Sequence, residues 1–318
     1  MYKDLIRVER NTDAKFTIVE WTLGNKCTYA CSYCPAILHD GSVGWQDYKK
    51  LTGFLDICHE HYSVGMGREV LIQYTGGEPT VYPKFKELLK HAQDMGIRQS
   101  IISNGSRTTR YWNDTAGFFE KVHLSYHPEF ADPERFIRNA QEICRQTDLH
   151  VNVLMLPGIF PEILLMAHNL RTACPNAVIL LKPLQKDFGE ELYDYSEHEN
   201  KILADMHSFH TDIRRMNNYP SGQLKVTHRN GEQRKISAST LMLEKANQWK
   251  GWHCQIGVET LNVDMNGEIW GGLCHVGGSF GNISTEFTLP TAGQVCTKQW
   301  CTCHLDIMVT KNEPPISV

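Results

Sequence analysis

Apolar residues in the first part of the chain form short, β-branched runs that alternate with longer amphipathic segments. Short apolar runs of this composition predict buried strands, whereas apolar residues spaced three and four apart predict helices. The six predicted strands are residues 16–23, 69–74, 99–104, 121–126, 150–156 and 177–182. The predicted helices between them include residues 45–62, 83–96, 133–146 and 161–174.

Strands that alternate with helices indicate βαβ units, in which right-handed crossovers join parallel strands. Six units are fewer than the eight of a closed barrel. The predicted fold class is therefore α/β, with a partial (βα)6 TIM-type barrel.

A different pattern follows the sixth predicted strand. The polar stretch at 186–218 predicts a surface helix. Alternating runs around an Asn-Gly pair at 230–231 predict a β-hairpin. A further helix is predicted over 241–249, with Ser239 or Thr240 as its cap. This change of pattern marks the end of the barrel-like region.

These patterns divide the chain into four predicted parts, the last of them a small, Cys-rich α+β domain. The parts are an N-terminal extension at 1–15, the partial barrel at 16–185, connecting helices and a hairpin at 186–253, and the Cys-rich domain at 254–318.

Composition and charge narrow the function classes. With 41% hydrophobic and 21% charged residues, the 318-residue chain has the composition of a packed globule. The formal net charge of −4 makes nucleic acid an unlikely partner. The charged N-terminus does not match a signal peptide, and no apolar run reaches the length of a membrane span. We therefore expect a cytoplasmic protein that does not bind membranes.

Eleven cysteines are unusual for a cytosolic chain, in which thiols stay reduced and clustered cysteines more often bind metal. Eight of them fall into two groups: Cys27, Cys31 and Cys34, and then Cys254, Cys274, Cys296, Cys301 and Cys303. The other three, Cys58, Cys144 and Cys174, lie in apolar or helical stretches, where a free cysteine acts as a small buried hydrophobe.

The first group has the spacing C-x3-C-x2-C and follows the first predicted strand. A 4Fe-4S cluster normally takes four thiolates, so a loop that offers three leaves one iron open to another ligand. A structural zinc site with His39 as a fourth ligand is the alternative, although such sites favour paired CxxC motifs.

The loop CTYACSYC, with Tyr33 before its third cysteine, resembles the cluster loop of the radical S-adenosylmethionine (radical SAM) superfamily. Segments at the ends of the next three predicted strands resemble the family's SAM-binding motifs. They are Gly76-Gly77-Glu78-Pro79, Ser103-Asn104-Gly105 and Ser125. The resemblance implies that the first segment receives the SAM amino group, that the second lies near the ribose, and that Ser125 contacts SAM.

One segment departs from the family pattern. Many relatives follow the fourth strand with Ser-Leu-Asp-Gly and an arginine that holds the SAM carboxylate, whereas this chain continues from Ser125 with Tyr-His-Pro-Glu. Arg135 or Arg138 could take the place of that arginine, and a solvated helix face explains both equally well. The carboxylate partner stays open.

The second cysteine group surrounds a predicted hairpin with an Asn-Gly turn at 266–267. Antiparallel pairing there could bring Cys254 and Cys274 together, and zinc or a 4Fe-4S cluster would each accept four of the five thiolates. The pattern resembles the twitch domain, a shortened SPASM domain, which implies an auxiliary 4Fe-4S cluster. We favour Cys254, Cys274 and Cys301 with either Cys296 or Cys303, and the fifth thiol is structural or a hydrogen-atom donor.

The resemblance implies an oxidoreductase or isomerase that cleaves SAM to a 5′-deoxyadenosyl radical and takes hydrogen from a small molecule, such as a sugar or metabolite, or from a peptide. Cys27 lies so near the start that a leader-peptide recognition domain is not expected before it. The resemblance also implies a reducing partner such as flavodoxin or ferredoxin. Pocket candidates at strand ends are Tyr126, His127 and Lys182.

Three alternatives stay open. The first is an epimerase that uses a cysteine as hydrogen donor. The second is a peptide or nucleotide maturase, for which the net charge of −4 disfavours RNA. The third, from a different class, is a non-catalytic zinc or iron-sulfur protein. The basic hairpin at 223–237 could cover a substrate or form a solvated edge.

Overall fold

A computed structural model describes residues 4–12, 14–186, 191–204 and 223–314. The chain divides into two compact units. Unit one comprises residues 1–21, 46–72 and 217–318, and unit two comprises residues 22–45 and 73–216. Much of the predicted surface helix at 186–218 lies outside the described residues, which contain only the helical segment Glu197–Ala204 of it.

The strands are Leu5–Arg10 (β1), Phe16–Thr22 (β2), Glu69–Thr75 (β3), Arg98–Ser103 (β4), Lys121–Tyr126 (β5), Asp148–Met155 (β6), Val178–Pro183 (β7), Gln223–His228 (β8), Gln233–Ser237 (β9), His253–Cys254 (β10), Thr260–Val263 (β11), Glu268–Trp270 (β12), Ser279–Asn282 (β13), Gln294–Val295 (β14) and Lys311–Asn312 (β15). The α-helices are Tyr48–Cys58 (α1), Phe85–Asp94 (α2), Thr109–Thr115 (α3), Pro133–Cys144 (α4), Phe160–Ala173 (α5), Glu197–Ala204 (α6), Ala238–Leu243 (α7) and His304–Ile307 (α8). None of the described helices is long and apolar enough to cross a bilayer.

Unit two contains the parallel strands β4, β5, β6 and β7 in that order, together with the end of β3. All six predicted barrel strands are present, with ends that differ by at most a few residues. The crossover helices begin where local chemistry favours it. In α4, for example, Pro133 occupies the first turn and the Asp132 side chain accepts a hydrogen bond from the Arg135 N–H.

Strands β5 and β6 of unit two have one apolar and one polar face. Burial alternates strictly along β6, although parallel strands covered on both faces are usually apolar throughout. The face that carries Val122, Leu124 and Tyr126 packs towards α4, where Tyr126 meets Phe136 edge to face at 5.2 Å. The opposite face carries His123, Ser125, His150 and Asn152, paired across β5 and β6 as His123 with His150 and Ser125 with Asn152.

In unit one, β11 adds in parallel to β2, with Thr260 opposite Ile18, and then turns back as the hairpin partner of β12. The hairpin turn contains Gly267, whose φ of +84° belongs to the left-handed region that glycine adopts most readily. The strand order in this part of unit one is β13-β12-β11-β2-β3. The predicted hairpin at 266–267 is therefore present, while the parallel addition of β11 was not predicted.

A second sheet of unit one has the order β14-β10-β15-β1-β8-β9 and packs on a cluster that includes Val8, Leu224, Leu241 and Trp249. The hairpin β8–β9 was predicted. Strand β1 was not, because its residues were assigned to the N-terminal extension.

Helix α7 starts earlier than predicted. It begins at Ala238 with Ser237 as its cap, whose Oγ accepts a hydrogen bond from the Thr240 N–H at 3.1 Å, and it ends at Leu243. The predicted caps Ser239 and Thr240 are wrong, because the extended backbone of Ser237 at the end of β9 already suits a cap.

Candidate active site and auxiliary cysteine group

The first cysteine group lies in unit two, on the loop that follows β2. Cys27, Cys31 and Cys34 line a single cavity of about 190 Å³. Residues at the ends of the next three strands line the same cavity: Gly76 and Gly77 after β3, Ser103 and Asn104 at the end of β4, and Ser125 near the end of β5. The structure therefore brings together the three thiols and most of the residues predicted to bind SAM.

Burial governs the ionisation of these thiols. It raises the pKa of Cys27 and Cys34, and it raises the pKa of Cys31 to about 11, aided by the charge of Glu129. Thiolates at these positions need a compensating positive charge, which bound iron would supply. This donor set suits a cluster that binds three thiolates and leaves one iron for another ligand.

Glu78 links the ends of two strands. Its carboxylate is 1% exposed and accepts hydrogen bonds from Thr80 Oγ1 at 2.6 Å, Ser103 Oγ at 2.8 Å and the Asn104 N–H at 2.7 Å. Burial nevertheless raises the pKa of Glu78. The Glu78 side chain therefore holds Ser103 and Asn104 in place. It also belongs to the segment that, by the family resemblance, receives the SAM amino group.

Gly76 and Gly77 leave no room for a side chain, which the sequence alone did not reveal. A Cβ on Gly76 would lie 2.4 Å from the Gly24 carbonyl oxygen, and one on Gly77 would lie 2.5 Å from the Lys26 carbonyl oxygen. The backbone N–H groups of Gly77 and Glu78 donate to those same two carbonyls at 3.0 and 2.9 Å. The glycines thus let this segment pair closely with the start of the cysteine loop.

His127 and Glu129, from the segment that departs from the family pattern, hold the cysteine loop. His127 Nδ1 lies 3.3 Å from Cys31 Sγ and 3.1 Å from Tyr33 Oη, and the two rings are stacked. Burial lowers the pKa of His127 to about 4, so that its ring is neutral near pH 7. The Ser32 N–H donates to Glu129 Oε2 at 2.7 Å.

The two candidate arginines have different surroundings. Arg138 forms an exposed ion pair with Glu134 on α4 at 3.4 Å. The charge of Arg135 instead acts on Tyr29, a residue that lines the cavity: burial raises the pKa of Tyr29, and the Arg135 guanidinium opposes that change. Of the two arginines, Arg135 is therefore the one whose charge acts on a residue of the cavity lining.

The remaining candidates divide between the cavity and its surroundings. His39 lines the cavity, and its Nε2 lies 3.1 Å from the Cys34 carbonyl oxygen. Pro79 is buried and begins a short 3-10 helix. Tyr126 packs on α4, and Lys182 is exposed at the end of β7, so neither is among the residues that line this cavity.

The second cysteine group lies in unit one. Cys254, Cys274, Cys296 and Cys301 line one small cavity of about 10 Å³. Burial raises the pKa of Cys254, Cys274 and Cys301. At Cys274 the charge of Asp306 adds to this effect, and the pKa rises to about 12. Thiolates at these three positions also need a compensating positive charge.

Cys303 is not among the residues that line that cavity. It lies just before α8, where burial and the charge of Asp306 raise its pKa to about 12 and Glu20 acts in the same direction. Of the two cysteines that the sequence left open, Cys296 therefore lines the cavity with the other three, and Cys303 does not.

Sequence reasoning missed two charged residues beside this group. Asp306 is 2% exposed, and its Oδ2 accepts a hydrogen bond from the Cys274 N–H at 2.9 Å. Lys311 is 1% exposed and lines the same cavity. A charged residue in the short segment after the last cysteine carried no pattern that would have identified it.

Among the described residues, no three His, Cys, Asp or Glu side chains are arranged to hold a single metal ion. In a 4Fe-4S cluster each thiolate binds a different iron, so that its thiolates are farther apart than the ligands of one ion.

The chain is similar to known proteins over its first half and, in fold, over most of its length. The radical SAM superfamily matches residues 21–152. An S-adenosylmethionine-dependent nucleotide dehydratase of Selenomonas ruminantium is 34% identical over 88 residues, which cover 26% of this chain and 27% of that relative. The match thus spans about a quarter of the relative's length.

Two solved structures share the fold at 15% identity. Streptococcus suis SuiB bound to precursor peptide SuiA has a TM-score of 0.54 over 88% of this chain and 65% of SuiB. Native anSMEcpe with bound AdoMet has a TM-score of 0.50 over 86% of this chain and 79% of that one. The predicted α/β fold of the partial-barrel type is confirmed, and residues 21–152 are the part of the chain that is similar to the radical SAM superfamily.

Proposed function

We propose that this chain cleaves SAM reductively at the cavity of unit two and takes a hydrogen atom from a small-molecule substrate. One observation carries the proposal: Cys27, Cys31 and Cys34 line a single cavity together with Gly76, Gly77, Ser103, Asn104 and Ser125. With a 4Fe-4S cluster and SAM bound there, the available chemistry is one-electron cleavage of the carbon-sulfur bond to methionine and a 5′-deoxyadenosyl radical that abstracts hydrogen.

The protein's own residues have binding and positioning roles in this proposal. The three thiolates would hold three irons, and the backbone at Gly76 and Gly77 would approach the SAM amino group. Asn104 is fixed by Glu78 and would lie near the ribose. The Arg135 guanidinium beside Tyr29 would bind the SAM carboxylate, because a guanidinium can donate two hydrogen bonds to one carboxylate.

We further propose that the second cysteine group holds an auxiliary 4Fe-4S cluster. The four thiols that share one cavity, Cys254, Cys274, Cys296 and Cys301, match the four ligands that such a cluster takes. When bound, this cluster would accept an electron from the substrate radical or bind the substrate. As part of the same proposal, residues 254–318 form a twitch-like domain that holds this cluster.

The curated relative suggests which substrates to test first. It is named a nucleotide dehydratase, and its matched residues lie within the SAM-binding part of this chain. A nucleotide is therefore the first small molecule to test, with sugars and peptides after it. The proposed reducing partner is a flavodoxin or ferredoxin.

Anaerobic reconstitution followed by product analysis tests the first part of the proposal. With dithionite and SAM, the wild-type chain should form 5′-deoxyadenosine and methionine in equal amounts, and the C31A variant should form neither. A C58A variant is the matched control, since Cys58 is buried in α1 of unit one. Full activity of C31A would overturn the proposed role of the cavity.

Iron and sulfide analysis tests the second part. Two 4Fe-4S clusters correspond to about eight irons per chain, and one cluster to about four. A wild-type value of about four, unchanged in a C254A variant, would overturn the auxiliary cluster.

Cys303 supports a second candidate, an epimerase in which this thiol returns a hydrogen atom to the substrate. The supporting observation is that Cys303 does not line the cavity shared by the other four cysteines. In deuterated water, such an enzyme would form a product that carries one deuterium from the solvent and is otherwise equal in mass to the substrate. A product without solvent deuterium would exclude this candidate.

A further inference from the structure

Lys311 is a fully buried cation within unit one. Only 1% of its surface is exposed. Its Nζ donates to three backbone carbonyl oxygens, those of Asp306 at 2.5 Å, Val309 at 2.9 Å and Ile307 at 3.2 Å. An ammonium group has three N–H donors, so these three acceptors match its charged form.

An aromatic ring also lies against the ammonium group. Nζ lies 4.6 Å from the centre of the buried Trp249 ring, which is a favourable position for a cation. The carbonyl oxygens belong to the last turn of α8 and the residues after it, and water is excluded from this side. The charge is thus fixed in place and little screened by solvent.

Lys311 also faces the second cysteine group. In the antiparallel pair β10–β15 it lies directly opposite Cys254, so that both side chains stand on one face of the sheet. Lys311 lines the same cavity as Cys254, Cys274, Cys296 and Cys301.

We propose that the positive charge of Lys311 raises the reduction potential of the cluster bound by these four cysteines. The inference rests on the auxiliary cluster of the proposed function. Reduction adds an electron to the cluster, and a fixed positive charge nearby stabilises the added negative charge. Because the charge is buried, the stabilisation is larger than an exposed lysine would provide.

Lys298 offers a matched control within the same cavity. It lines the cavity as Lys311 does, but it is exposed. Removal of its charge should therefore change the potential much less, since solvent and salt screen an exposed charge.

The test uses the full-length chain with C27A, C31A and C34A, so that only the second cysteine group can hold iron. In this background the K311Q variant removes the charge and keeps N–H donors for the carbonyl oxygens. The K311R variant keeps the charge, and the K298Q variant is the control. Each chain is reconstituted, its iron is counted, and the midpoint potential is measured by redox titration with electron paramagnetic resonance.

We expect K311Q to disfavour reduction at least about tenfold, a shift of ~59 mV to lower potential for a one-electron couple. The K311R and K298Q chains should stay close to the parent. Loss of iron from K311Q but not from K311R would also support a requirement for the charge. Equal potentials in parent and K311Q, or equal loss of iron from K311Q and K311R, would overturn the role of Lys311. A parent chain that binds no iron would instead overturn the auxiliary cluster itself.

Discussion

Glu78 Oε2 accepts a hydrogen bond from the backbone N–H of Asn104 at 2.7 Å, which fixes the end of β4 to the segment after β3. The E78A substitution would leave this N–H and the Ser103 hydroxyl buried without their acceptor. Each buried group without a partner costs about 1–3 kcal/mol. We therefore expect the free energy of unfolding in urea to fall by about 3 kcal/mol, with weaker SAM binding.

An exposed acid provides the control for that prediction. Asp94 pairs with Lys90 on the surface of α2 at 2.9 Å, and exposed pairs of this kind contribute about 0–1 kcal/mol. A loss of stability in D94A as large as in E78A would show that the Glu78 network has no special importance.

The two arginines of α4 should differ in their effect on SAM affinity. The charge of Arg135 acts on Tyr29 at the cavity, whereas Arg138 pairs with Glu134. A charged hydrogen bond contributes about 1.5–3 kcal/mol, so R135A should raise the Kd for SAM about tenfold or more. R138A should leave the Kd within about twofold. Equilibrium dialysis of labelled SAM against the reconstituted proteins measures both, and equal effects would contradict the assignment of Arg135.

Cys296 and Cys303 should respond differently to substitution. If Cys296 completes the second site, C296A should lower the iron content from about eight to about four per chain. C303A should keep about eight, because Cys303 does not line that cavity. The reverse result would assign the fourth ligand to Cys303 and remove the basis for Cys303 as a hydrogen donor.

His123 should make stability depend on pH. Burial, together with the Lys121 charge, lowers its pKa from 6.5 to about 3. Between these values the unfolded chain binds a proton that the folded chain does not, so stability falls as pH falls below 6.5. The maximum slope is about 1.4 kcal/mol per pH unit. Urea unfolding at several pH values should show a shallower decline for H123Q than for the wild type.

A second histidine variant controls for general effects of acid. His198 is exposed on α6 of the same unit. The H198Q variant should follow the wild-type curve across the same pH range. If H123Q followed it as well, the imidazole of His123 would not be the source of the dependence.

The strands of unit two could be predicted because each is an apolar run with helical segments on either side, and the chemistry follows at the strand ends. β11 was harder to predict, since Thr260–Val263 gives no local sign that it pairs in parallel with β2. The same limit applies to β1, whose partners β8 and β15 are distant in sequence. Local patterns predict elements well and long-range pairing poorly.

The candidate site shows the same contrast between local features, which could be predicted, and long-range contacts, which could not. The spacing of Cys27, Cys31 and Cys34 was informative because the three lie on one loop. The choice between Cys296 and Cys303 depends on which thiol turns towards Cys254, a residue on another strand. Lys311 was invisible to pattern analysis, because its importance arises from burial against Trp249 and from its register with Cys254.

The pairing of β11 with β2 has a consequence for the synthesis of the protein. Ile18 is made long before its partner Thr260, because the two are far apart in the sequence. Loops this long fold slowly, because the chain entropy is lost before the contact forms. Unit one, built from three separate segments, can therefore assemble only after the third of these segments has been made, and until then the edge of β2 is open to other strands or to chaperones.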